Sequence, residues 1–293
     1  MQTGPADRPP APVDIAKEQH MRAFPTPTPI SATVDVVMGD IRFVATDRID
    51  TVVGVDPLDP GRALDVEAAA QVRVEYAQGR LRVSHPRLRS AFTRRFGSVR
   101  VLVELPTGSD VRGDTAQGEH VVRGAVGSCR LKTAIGDIRV ERAAEARLKT
   151  TGGRVIVDHV TGSADVAGYG GVRIGRVEGP AVVHDLGGDI TVGVAGSDVE
   201  ARTANGRIRL GEVREGTVDL YAAIGGLEIG APHGTHVRLD ARATTGRVRG
   251  DLGTSSPTDR TVAVRARCHG GDIVVRRVES GHDVRHGAAR LSG

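Results

Sequence analysis

The chain of 293 residues carries a formal net charge of +4 and is 39% hydrophobic, enough for one large core or two ordinary ones. Aromatic residues make up only 2% of it, with no Trp, against 39 Gly. The interior must therefore be built from Val, Ile, Leu and Ala, which excludes an aromatic stacking platform for single-stranded nucleic acid and disfavours a bulky-cored enzyme.

Residues 1–29 contain Pro5, Pro9, Pro10, Pro12, Pro25, Pro27 and Pro29 and read as a disordered leader, with Met21 as an alternative start. This leader has no apolar run of the signal-peptide kind, and no stretch of the chain reaches the length of a membrane span. A cytoplasmic location is the expectation. Residues 30–112 read as an N-terminal β cap. Alternating segments at 32–36 and 41–44 flank Gly39-Asp40, and a short helix is expected from Asp59 as N-cap and Pro60 at its first position through Ala70. A second hairpin turns at Gln78-Gly79, and a strand follows at 99–103.

Residues 113–279 repeat. The motif is Gly, a small or charged residue, then apolar, polar, apolar, as in Gly136-Asp137-Ile138-Arg139-Val140, Gly153-Arg154-Val155-Ile156-Val157 and Gly188-Asp189-Ile190-Thr191-Val192. Anchor glycines recur at 118, 136, 153, 170, 188, 206, 225, 246 and 271. A second alternating segment precedes each anchor, with small or apolar residues at seven, five and three positions before it, as in Cys129/Leu131/Thr133. The copy at Gly170 is displaced by one residue at Ala164 and Val166, which predicts a shortened turn or bulge. His120 stands where the degenerate first copy calls for an apolar residue.

Two strands in about eighteen residues cannot enclose a core, but coils stacked at about 4.8 Å can. The expected fold is all-β, a β-solenoid of about nine short coils behind the cap, with 280–293 as a flexible tail. Cys129 and Cys268 then lie seven coils apart, beyond disulfide reach, as small core residues.

The Gly-Asp-Ile-Arg-Val repeats, the segment Ile30-Ser31-Ala32-Thr33-Val34 and the strand Val101-Leu102-Val103-Glu104-Leu105-Pro106 resemble a bacterial family of putative adhesins. The resemblance is to the form found in actinomycetes and spans roughly residues 22–277. It implies a β-helix belonging to a domain of unknown function, and it brings no catalytic residues with it.

The residues point away from catalysis. No lysine follows a glycine in a phosphate-binding loop, and neither His-Glu-x-x-His nor Gly-x-Ser-x-Gly occurs. Asp40, Asp137, Asp189 and Asp272 follow glycine without the calcium-repeat pattern, so turn chemistry is expected of them. His233 with His236 and His282 with His286 have spacings a metal could use but lack further ligands, so no metal and no cofactor is expected.

Basic charge is almost wholly guanidinium, the lysines being Lys17, Lys132 and Lys149, and it is interspersed with acid, which argues against sequence-specific nucleic-acid binding. One outward column carries Arg139, Arg173, Arg209 and Arg249 on every second coil and is the candidate site, a stripe for an anionic ligand. The expected function is a non-enzymatic interaction scaffold that presents flat repeat faces to a protein or an anionic polymer. Two alternatives stand beside it: an adhesin-like envelope-associated module, and a bactofilin-like filament assembled through the solenoid ends, which would make the chain a homo-oligomer.

Overall fold

The computed structural model describes residues 21–85, 96–252 and 260–279. In chain order the elements are β1 (Met21–Pro25), β2 (Ser31–Asp35), β3 (Gly39–Thr46), β4 (Asp50–Pro57), α1 (Ala63–Gln71), β5 (Arg73–Ala77), β6 (Arg80–Ser84), β7 (Val99–Pro106) and β8 (Asp110–Gln117). Two long strands follow, β9 (His120–Ile135) and β10 (Ile138–Gly152). Then come β11 (Val155–Val160), β12 (Ala164–Gly168), β13 (Val172–Val177), β14 (Ala181–Asp185), β15 (Ile190–Ala195), β16 (Val199–Asn205) and β17 (Ile208–Val213). The chain closes with β18 (Gly216–Ile224), β19 (Leu227–Pro232), β20 (His236–Thr245), β21 (Val248–Asp251), β22 (Thr261–Gly270) and β23 (Ile273–Val278).

These strands form an all-β solenoid with two faces. The front sheet stacks β5, β6, β2, β8, β9, β10, β12, β14, β16, β18, β22 and β20 in that order. The back sheet stacks β1, β4, β7, β3, β9, β10, β11, β13, β15, β17, β19, β23 and β21. β9 and β10 serve both sheets, their first halves lying in the back and their second halves in the front. All pairings are parallel except β1 with β4, β4 with β7 and β5 with β6.

Between the sheets, side chains of the same offset stack directly. Leu131, Leu148, Val166, Val183, Ala201 and Leu220 form one such column, each at most 2% exposed. Full burial of a Leu or Val side chain is worth about 1.5–3 kcal/mol, so the column is a continuous hydrophobic spine.

Three repeated devices hold the corners. Each anchor glycine lies against its counterpart in the next coil: at Gly136, where φ is +147°, a Cβ would sit 2.0 Å from the carbonyl oxygen of Gly118. An inward threonine, three residues before the anchor, donates its hydroxyl to that neighbouring glycine carbonyl, Thr150 to Gly136 at 3.0 Å and Thr203 to Gly188 at 3.2 Å. The aspartate after the anchor accepts the backbone N–H of an adjacent coil, Asp137 from Arg154 at 2.8 Å, Asp189 from Arg207 at 2.7 Å and Asp40 from Glu119 at 3.0 Å. This is the turn chemistry expected of the Gly-Asp pairs.

Several expectations change in detail. Residues 21–25 of the expected leader are strand β1, paired with β4, while residues 1–20 lie outside the described residues. The helix begins at Ala63, with Arg62 at its N-cap, because Asp59 instead accepts the Gly61 N–H at 2.9 Å in a local turn. The nine coils expected from the repeats are joined by two more, β6–β7 and β2–β3, the second lying between the first and β8–β9.

Stacking order also departs from chain order at the far end. β22–β23 sits between β18–β19 and β20–β21. Cys129 and Cys268 are therefore six coils apart, about 29 Å at the strand spacing, rather than seven. Both are free and buried, and burial pushes the Cys129 thiol up to about 12. The tail at 280–293 lies outside the described residues.

Candidate functional site

With the bore filled by side chains, a ligand can meet only outward residues, which alternate with the buried ones along each strand. On the back sheet the register places Arg139, Arg173 and Arg209 in one column, two coils or about 9.6 Å apart. Arg249 shares the column but lies three coils beyond Arg209, past Glu228 and Val274, because of the intercalated coil.

Acids occupy much of this stripe. Arg139 faces Glu119 at 3.6 Å and Asp137 at 3.8 Å, and Glu228 holds both Arg209 and Arg276 at 2.7 Å. Arg154 bonds Asp137 through backbone and side chain, and although partial burial pushes that carboxyl upward, these contacts hold it below its ordinary range. Arg173 and Arg249 have no ion pair among the described residues. A shallow groove beside Arg139 mixes Arg42 and Arg123 with Glu119, Glu141 and Asp158, so cation and acid cancel there.

A denser cationic face lies on the front sheet. The register sets Arg112 beside Arg130 and Arg130 beside Arg147, with Lys132 beside Lys149 in the next outward column. All five are exposed. Only Arg147 has an acid partner, Asp165 at 3.4 Å, and none of the other four has an ion pair among the described residues. Asp114 stands next to Lys132 in the register, and Glu145 lies at the rim beside Ser128.

The spacing is about 4.8 Å along the solenoid and about 7 Å along a strand. Like charges directly opposite across a parallel pair repel, so the face raises the energy of the free protein and favours any partner that supplies negative charge. A visible sequence signal marks it. Arg130-Leu131-Lys132-Thr133 recurs unchanged as Arg147-Leu148-Lys149-Thr150, one coil later. It precedes the anchor glycine in each coil, whereas the Arg139 column follows it.

Among the described residues, no three of His, Cys, Asp or Glu come together as a metal set, and no helix is long and apolar enough to cross a membrane. His233 and His236 flank the turn before β20 and stand exposed, while His282 and His286 lie outside the described residues.

No protein-family model and no curated protein matches the chain. Solved structures do. A putative adhesin from Parabacteroides merdae is 12% identical, with 89% of this chain and 98% of that one covered, at a TM-score of 0.46. A putative adhesin from Bacteroides fragilis is 14% identical, with 88% and 96% covered, at 0.41. A protein described as a putative lipid binding protein, from Parabacteroides distasonis, is 12% identical over 88% and 96%, at 0.43.

Proposed function

We propose that the chain is a non-catalytic binding scaffold, and that its front-sheet face of Arg112, Arg130, Lys132, Arg147 and Lys149 takes an extended anionic polymer. One observation carries the reading: five exposed cations are held in register on three successive coils, four of them without an acid partner among the described residues. A flat, unenclosed face suits a polymer that lies along it better than a small molecule that needs a pocket. The backbone that carries these side chains is already ordered by the sheet, so binding immobilises only the side chains themselves.

Binding to heparin, used as a generic polyanion, tests this by titration at several salt concentrations. The intact chain should bind with a strong salt dependence. Changing Arg130, Lys132 and Lys149 together to Gln should weaken binding about tenfold at low salt and flatten the salt slope by about two units. Changing Arg139, Arg173 and Arg209 to Gln should leave both nearly unchanged. Equal affinity for the front-sheet variant and the intact protein would remove the face from consideration, and equal losses from both sets would reduce the effect to net charge.

The proposal places the chain in the cytoplasm. Pull-down of the tagged full chain from separated cytosolic and envelope fractions checks this. Recovery with cytosolic polyanion is the expected result, and recovery with wall or membrane material would support the adhesin-like alternative instead.

A further inference from the structure

The two ends of the solenoid differ. At the N-terminal end the outermost strands of the two sheets close on each other: the Phe24 and Tyr76 rings lie 5.1 Å apart, and the Arg22 guanidinium donates to the Val74 carbonyl at 3.2 Å. Helix α1 lies between those strands in the chain, with Ala68 and Ala69 packed against the core, and its buried Asp65 accepts the Ser98 N–H at 3.0 Å. At the other end β20 pairs only with β22 and β21 only with β23 among the described residues. The inward residues Val237, Leu239, Ala241 and Ala243 are half-exposed, whereas their counterparts Val262, Val264, Ala266 and Cys268 one coil below are buried.

The edge is regular. His236 donates its N–H to the Arg260 carbonyl at 2.9 Å, so in a parallel ladder alternate residues from His236 onward face β22. The N–H and C=O groups of Val237, Leu239, Ala241 and Ala243 therefore point away from the solenoid. Such an edge is a template for another strand.

We infer that this end pairs with the same end of a second copy, β20 against β20 in antiparallel orientation about a two-fold axis through Ala241. The strand's own charges select that register. Centred on Ala241, Asp240, which already holds Arg267 of its own chain, also meets Arg242 of the copy, the reciprocal pair forms by symmetry, and Arg238 meets Thr244. Leu239 then faces Ala243, large against small, inside the shared bore. Centring on Asp240 would instead set Asp240 against Asp240 and Arg238 against Arg242, both repulsive. Centring on Leu239 would bring His236 against Arg242 and shorten the overlap.

The chosen register forms about six backbone hydrogen bonds across the axis from groups that have no strand partner among the described residues. The contact is isologous and closes at two copies, because the opposite end is capped. Among the described residues only this end presents an edge of that kind, so the pairing does not extend into the filament expected as an alternative.

Sedimentation equilibrium of the full chain over a hundredfold concentration range tests the inference. The expected result is reversible association that stops at twice the 30.7 kDa chain mass. Ala241→Pro removes a central outward N–H without touching the ladder to β22, and should give a monomer with an unchanged far-ultraviolet spectrum. Arg242→Glu should weaken association at least tenfold and leave the spectrum unchanged. A mass that stays at one chain, a mass that grows past two, or a dimer that survives Ala241→Pro would each overturn the inference. Polyanion binding by the front-sheet face is measured separately and does not depend on the outcome.

Discussion

His120 occupies an inward position that Ile41 and Ile138 hold in the coils on either side. It fits because Gly113 lies beside it, where a Cβ would come within 3.2 Å of the imidazole, and because Thr115 lies 2.9 Å from its Nε2. Its Nδ1 has no hydrogen-bond partner among the described residues, and burial lowers the pKa to about 4 despite the opposing charge of Asp40. The folded chain thus holds a neutral histidine whose pKa in the unfolded chain is about 6.5. That contribution is complete above pH 6.5 and is lost as pH falls toward 4, by about 3 kcal/mol in all. Between pH 7 and pH 4.5 the melting temperature of the native chain should fall further than that of His120→Ile. Parallel curves would mean the ring does not titrate in this window. His120 was legible in the sequence as a break in the repeat, but its partner was not, since a glycine inside a strand gives no hint of what fills its space.

Asp185 shows the same limit. The displaced Ala164 and Val166 signalled a shortened corner, and the corner is short. What fills it is a buried carboxylate that accepts the N–H groups of Gly171 at 3.1 Å, Gly187 at 3.0 Å and Gly188 at 2.5 Å. Gly168 makes room, because a Cβ there would meet Asp185 at 2.6 Å. Asp185 stands three residues before its anchor, where Thr133, Thr150 and Thr203 stand in other coils. The change of residue type was in view, yet nothing in the chain gave its direction of bonding.

Between corner and strand, the repeat assigns different weight to adjacent glycines. Gly153 has φ +156°, and a Cβ on it would lie 2.1 Å from the Gly136 carbonyl oxygen. Gly152 next to it has no such angle, and its nearest neighbour would be 3.6 Å away. Gly153→Ala should cost about 3 kcal/mol or more, and Gly152→Ala no more than about 0.5 kcal/mol, as read by urea denaturation. Comparable losses at both positions would refute the stacked-carbonyl account of the anchor. Strand positions were legible for a related reason: period-two alternation fixes which residues face inward, and the structure places Leu131, Leu148 and Val166 there. The order in which coils stack was not. The anchor steps of 21 and 25 residues before Gly246 and Gly271 marked longer connections, but length alone does not tell a chain passing over a neighbour from one making a wider loop.

At the scale of the molecule, each coil touches only the coils beside it, so the solenoid should tolerate loss of a complete unit. Removing residues 189–206, one step from Gly188 to Gly206, keeps inward residues inward and should leave a folded chain with a single cooperative melting transition. Removing 189–197 omits half a coil, joins strands out of phase and should abolish that transition. If both deletions melted alike, the repeat would not be the unit of stability. The basic face is itself a product of this architecture, since Arg130 and Arg147 are 17 positions apart in the chain and adjacent only because their coils stack.

The first and last coils described here are each clasped between two others: β2–β3 by β6–β7 and β8–β9, and β22–β23 by β18–β19 and β20–β21. A machine that threads the polypeptide from its C-terminal end would not meet a loose outer turn it could peel away. It would have to drag β22 and β23 lengthwise out of a slot gripped on both flanks, shearing two ladders in each sheet at once, so the greatest resistance to force would come at the start of the pull.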